Sequence, residues 1–74
     1  MIRVNSMNHC YVRQEISYNF ETQEITHIVT YSNSYFHSYE KLEFPNFKIA
    51  CIAFESLERL AKQIESDLEL LGKV

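Results

Sequence analysis

Along the first half of the chain, hydrophobic and polar residues alternate. From Cys10 to Phe20 the even positions are Cys10, Val12, Gln14, Ile16, Tyr18 and Phe20, whereas the odd ones include Arg13, Glu15 and Ser17. Successive side chains of a strand point to opposite faces, so this period of two predicts a strand over 10–20 with one face to bury. The run "EITHIVTYS" that follows is rich in β-branched residues, which suit a pleated surface better than a helix, and it predicts a second strand over 24–32. Ile25, Val29 and Tyr31 share a face with His27, and Ile28 takes the other. Glu21, Thr22 and Gln23 then join an antiparallel hairpin. With no Asn-Gly or Gly-X pair at the turn, a loop of about three to five residues is expected.

The stretch "SNSYFHSYEKLEFP" can be written two ways. As a strand over 35–44 it sends Phe36, Leu42 and Phe44 to the core and displays Tyr35, His37, Tyr39, Lys41 and Glu43 on the other face. As a short helix it aligns Tyr35, Tyr39 and Leu42. The strand is preferred: the aromatic run opens after Ser-Asn-Ser, and Pro45 holds the residue before it out of the α region.

From Asn46 the period changes. Phe47, Ala50, Phe54, Leu57, Ala61, Ile64, Leu68 and Leu71 recur every three or four residues, opposite Lys48, Glu55, Arg59, Lys62, Gln63 and Ser66. Glu55 with Arg59 and Glu58 with Lys62 are favourable i,i+4 pairs, and Gly72 is a natural stop. A helix over 46–71 follows, although "FKIACIAF" can also be read as a fourth strand leading into a helix that begins near Ser56. In the long-helix reading Ile49 and Ile52 fall on the charged side and become contact candidates.

These elements predict one α+β domain spanning 1–74: a three-stranded antiparallel β-meander packed against one long C-terminal α-helix. At 74 residues the core is thin. A single core of this size supplies roughly 3–5 kcal/mol, so a homodimer is a live expectation. Met7 is a candidate second start, which would make "MIRVNS" dispensable. The start "MIRVNSMNHC" has no continuous apolar core of the signal-peptide kind, and no apolar run reaches the ~18 residues that cross a bilayer. Two cysteines far apart in sequence suit reduced thiols, so a cytoplasmic protein without membrane attachment is expected.

Charge and chemistry narrow the function by elimination. Ten acids against seven bases give a net charge of −3, with no run of Lys or Arg to track phosphates, so direct nucleic-acid binding is not expected. A single glycine excludes phosphate loops, dinucleotide fingerprints and the G-x-S-x-G nucleophile elbow. His9, Cys10, His27, His37 and Cys51 show no zinc-ligand spacing. Cys51 lies between Ala50 and Ile52, where a thiol acts as a small hydrophobe, and nothing in the sequence brings it to a histidine base. His27 reads either as a pH-responsive imidazole or, the plainer choice, as a partly exposed residue hydrogen-bonded across the sheet.

No enzyme, metal or cofactor is therefore expected. The class that remains is a small acidic inhibitor or regulator that docks on a larger protein with a basic surface. Nucleic-acid-handling and host-defence complexes, blocked by small acidic proteins of mobile elements such as phages, are one setting that matches in size and charge. The residues expected to carry such a contact are Tyr35, His37, Tyr39, Glu40, Glu43, Ile49, Ile52, Glu55 and Glu58. The alternatives are a homodimeric structural or assembly subunit and a small Cys/His-based enzyme or metal protein.

Overall fold

The computed structural model describes residues 2–72. Four antiparallel strands, β1 (Ile2–Ser6), β2 (Cys10–Asn19), β3 (Glu24–Asn33) and β4 (Ser38–Phe44), form one sheet in sequence order, followed by helix α1 (Phe47–Leu70). The class and the long C-terminal helix agree with the sequence reading; the strand count does not. The segment read as dispensable is an edge strand, in register with β2 from Ile2 opposite Glu15 to Ser6 opposite Tyr11.

β1 escapes a pattern reading because its core-side residues are polar. Arg3 donates through Nε and Nη2 to Gln14 Oε1 at 3.1 and 2.7 Å, and its guanidinium lies 4.2 Å from the centre of the Phe54 ring. Asn5 donates to Glu58 at 2.8 Å. These contacts take the place of an apolar stripe and seat the edge of the sheet under the helix.

The helix lies mainly over β2 and β3. Cys10, Val12, Val29 and Tyr31 meet Ala50, Phe54 and Ala61, with Met7, Phe44, Ala53, Leu57 and Ile64 around them. The two alanines present no bulk, which lets the helix approach the sheet closely at both points. Gln14 and Asn33 are also fully buried on this face. Gln14 tolerates burial because Arg3 donates to its Oε1 and its own Nε2 donates to Cys51 Sγ at 3.3 Å.

Both helix ends are locally encoded. Asn46 is extended (φ −123°) after Pro45, and its side chain accepts from Lys48 N and Ile49 N, so the whole of 47–54 is helical. At the other end Gly72 takes φ 72° and donates to the Glu69 carbonyl at 3.0 Å. The two expected i,i+4 ion pairs do not form: Glu55 sits 3.8 Å from Arg3 and Glu58 is held by Asn5, both across to β1, while Arg59 donates within the helix to Ser56 Oγ.

β4 begins at Ser38, three residues later than expected. Asn33 Oδ1 accepts from the amides of Tyr35 and Phe36, and His37 adopts φ 56°, which makes Ser34 to His37 a tight turn. Tyr35, Phe36 and His37 therefore leave the strand. Phe36 is exposed, Leu42 is more than one-third exposed, and only Phe44 of the three expected core residues is mostly covered.

Among the described residues, no second layer covers the opposite face of the sheet. Its cross-strand rows run Ile2, Glu15, Ile28, Glu43 and then Val4, Arg13, Thr30, Lys41. Arg13 and Glu15 pair at 3.1 Å. Ile28 is only 8% exposed although none of the described elements packs on that face. Its cross-strand neighbours on that face are Glu15 and Glu43, and long charged side chains cover apolar surface with their stems while the charged ends stay in water.

Candidate protein-binding surface

β2 and β3 are longer than their outer neighbours. β1 pairs with β2 only as far as Glu15, and β4 with β3 only as far as His27, so the segment from Ile16 to Thr26 projects as a two-stranded ribbon. Its turn repeats the geometry of the β3–β4 turn. Asn19 Oδ1 accepts from Glu21 N and Thr22 N, Gln23 N donates to the Asn19 carbonyl at 2.7 Å, and Gln23 adopts φ 60°. The protrusion contributes to an elongated molecule, 49 × 20 × 15 Å, with a radius of gyration of 14.0 Å. A compact chain of this length would have about 11 Å.

On the ribbon the apolar alternation continues beyond the N-terminal end of the helix. Ile16 lies opposite His27, Tyr18 opposite Ile25, and the Tyr18 and Phe20 rings meet edge to face at 4.9 Å. His27 in turn packs against Phe47 at 5.6 Å. The result is a continuous apolar strip from the start of α1 to the tip of the ribbon: Phe47, Ile16, Ile25, Tyr18 and Phe20. Ile25 is 55% and Phe20 85% exposed. Beside the strip, Glu24, Ile25, Thr26, Glu43, Phe44 and Pro45 line a shallow open cleft. Between Gln14 and Thr26 the charged residues are Glu15, Glu21 and Glu24, with no Lys or Arg.

The other expected contact residues are dispersed. Tyr35 sits in the turn at the far end, edge to face with His9 at 5.9 Å and with Phe36 at 4.9 Å, and His37 closes that turn. Tyr39 and Glu43 lie on the open sheet face, Glu40 on the helix side of β4, and Ile49 and Ile52 are exposed on α1. Glu55 and Glu58 hold β1 in place. Thus Tyr35, His37 and Tyr39 do not share the strand face expected of them. His27 is buried rather than partly exposed: it faces the aromatic ring of Phe47, and its Nδ1 has no hydrogen-bond partner.

At the far end, Glu65 closes the β1–β2 turn by accepting from the amides of Asn8 and His9 at 3.0 and 2.9 Å. Nearby, burial pushes the Cys10 thiol above its ordinary value; a Tyr31 hydrogen bond opposes this and Glu65 adds to it. Burial is also the main cause that raises the Tyr31 phenol. Both groups are therefore neutral in the fold at pH values where the unfolded chain releases their protons. Their stabilising contribution is complete below about pH 8.5 and declines as pH rises through the alkaline range. A thermal melt series is expected to show a falling midpoint from that pH upward, with a shallower initial fall in Cys10→Ala. A midpoint constant to strongly alkaline pH would contradict the assignment.

Cys10 and Cys51 are both free thiols. Among the described residues, no group of three His, Cys, Asp or Glu is placed to hold a metal ion, and no helix is long and apolar enough to cross a membrane. Compared with known protein families, curated proteins and solved structures, the chain matches none.

Sequence reasoning noticed Ile16, Tyr18, Phe20 and Ile25 but assigned them to the core. The signal that could have singled them out is Phe20 beside Glu21 at the end of the alternating run, where a turn leaves an aromatic side chain little to pack on.

Proposed function

We propose that this protein is a non-enzymatic protein-binding module, a small acidic inhibitor or regulator that anchors on a larger protein through the β2–β3 ribbon. The observation that carries this reading is the uncovered strip of Phe47, Ile16, Ile25, Tyr18 and Phe20, flanked by Glu21 and Glu24 without a compensating base. Scattered exposed apolar residues are ordinary, but a continuous strip that projects from the body and ends in two aromatic rings has the form of an anchor. Aromatic side chains supply large contact area at low entropic cost, and a rim of one charge sign selects a partner surface of the other. The partner this surface fits is an apolar groove bordered by Lys and Arg, as on proteins that handle nucleic acids.

The test is affinity capture from native extract with tagged protein, comparing wild type with Phe20→Ala, with Glu21→Lys/Glu24→Lys, and with Tyr35→Ala at the opposite end. Phe20 is 85% exposed and packs on the likewise peripheral Tyr18 ring, so its truncation is expected to leave the fold intact within about 0.5 kcal/mol. Loss of an anchor of this kind weakens binding by about 2 kcal/mol, or roughly thirtyfold. The same partner is expected to disappear from both ribbon variants and to persist with Tyr35→Ala. Undiminished capture by the folded Phe20→Ala variant would remove the ribbon as the anchor.

A further inference from the structure

β4 is an edge strand whose backbone is open to pairing. Each residue from Ser38 to Phe44 faces one partner from Asn33 to His27 in unbroken steps, so no bulge bends the edge away. The only proline, Pro45, follows the strand. Outward-directed amides and carbonyls are thus available along its length. Charged residues often blunt such an edge; on β4 their order does something more specific.

Suppose two copies pair antiparallel through β4 about a two-fold axis normal to the sheet. Directly opposed residues must then share a face, so an axis can pass only through a residue that meets its own copy. An axis at Glu40 sets Glu against Glu, one at Lys41 sets Lys against Lys, and one at Glu43 sets Glu against Glu again. An axis at Leu42 sets Leu against Leu. It also places Lys41 opposite Glu43 of the second copy, and Glu43 opposite that copy's Lys41. Of these four central registers, only this one pairs opposite charges and puts an apolar side chain on the axis.

The charge complementarity extends inward along the open face. On the open face, the row Glu15, Ile28, Glu43 of one copy continues into Lys41, Thr30, Arg13 of the other, and the reverse row does the same. On the helix side, Leu42, which is 37% exposed in the single chain, meets its copy, and Phe44 lies opposite Glu40 of the second copy.

We infer that the protein forms a two-fold homodimer by β4 edge pairing in the Leu42-centred register. The sheet becomes continuous across the two copies with both helices on one side. The two β2–β3 ribbons, each located at the Phe44 end of its own β4, then point in opposite directions. The dimer is inferred from β4 alone and does not depend on what the ribbons bind.

A charge exchange tests the register. Sedimentation equilibrium across a dilution series is expected to give a dimer for the wild type. Lys41→Glu and Glu43→Lys each bring like charges together at both contact points, which should weaken self-association at least about tenfold. The double variant Lys41→Glu/Glu43→Lys restores opposite charges with exchanged signs and should dimerise like the wild type. Mixing the two single variants should yield a heterodimer, because one then carries two acids where the other carries two bases. Circular dichroism verifies that all variants fold, as both positions lie on the exposed face. A wild type that stays monomeric overturns the dimer. Single variants that associate normally, or a double variant and a mixture that recover nothing, overturn this pairing.

Discussion

A chain that begins at Met7 is expected to lose its cooperative fold. Removing β1 strips the whole outer edge from β2 and takes away Arg3, which donates twice to the buried Gln14 amide and covers the Phe54 ring. An unsatisfied buried polar group costs about 1–3 kcal/mol, and a cation over an aromatic ring contributes about 0.5–2 kcal/mol. Asn5 leaves Glu58 without its partner as well. Set against the roughly 3–5 kcal/mol that a core of this size supplies, these losses are as large as the whole stability. Urea unfolding followed by circular dichroism checks this directly: the truncated chain should show no sigmoidal transition. A transition at the wild-type midpoint would mean that β1 is only an attached tail. Arg3→Ala separates the side-chain contribution from the strand itself and should fall between the two.

Phe54→Ala is expected to be comparably severe. Phe54 is the largest fully buried side chain, 2% exposed, held between the sheet and the Arg3 guanidinium. Truncating a core phenylalanine to alanine costs about 3–5 kcal/mol through lost transfer energy and the cavity left behind. Here the cavity would lie beneath a charged group, so water entry at the sheet edge is the expected response. Phe54→Leu should retain a cooperative transition with a lower midpoint. Because Arg3 and Phe54 touch, their losses should not add: the double variant is expected to be less destabilised than the sum of the single ones. A fully additive cycle would show that the ring and the guanidinium do not interact.

Taken together, these outcomes place the molecule's stability in one thin layer, centred on β2 and the helix. The ribbon and the β4 edge stand outside that layer, so substitutions on their exposed faces are expected to cost little in folding. The apolar residues of the ribbon, Phe20 and Ile25 above all, stay exposed in the single chain.

Much of the architecture was legible in the chain. The alternation from Cys10 and the β-branched run from Ile25 specify β2 and β3, because a period of two is a local property that any pleated strand expresses. The stripe from Phe47 to Leu68, the Pro45-Asn46 entry and the Gly72 stop specify α1 in the same local way. Even the opposed facings of His27 and Ile28 follow from the pleat alone.

What remained was decided by contacts between residues distant in sequence. β1 has no apolar signature; Arg3 and Asn5 make it a strand only because Gln14, Phe54 and Glu58 wait across the sheet and on the helix. The Tyr35 to His37 segment turns because Asn33 captures its amides, and an aromatic-rich sequence is equally compatible with a strand until that capture occurs. Cys10 and Val12 cannot be distinguished by pattern from Ile16 and Tyr18, since all occupy even positions of the same run. The helix covers the first pair and ends short of the second, and the reach of one element over another is set by tertiary packing rather than by local periodicity. The sequence by itself therefore determined which faces are apolar. Only the tertiary structure decided which of them would be covered, because burial is a relation between elements and no element carries it alone.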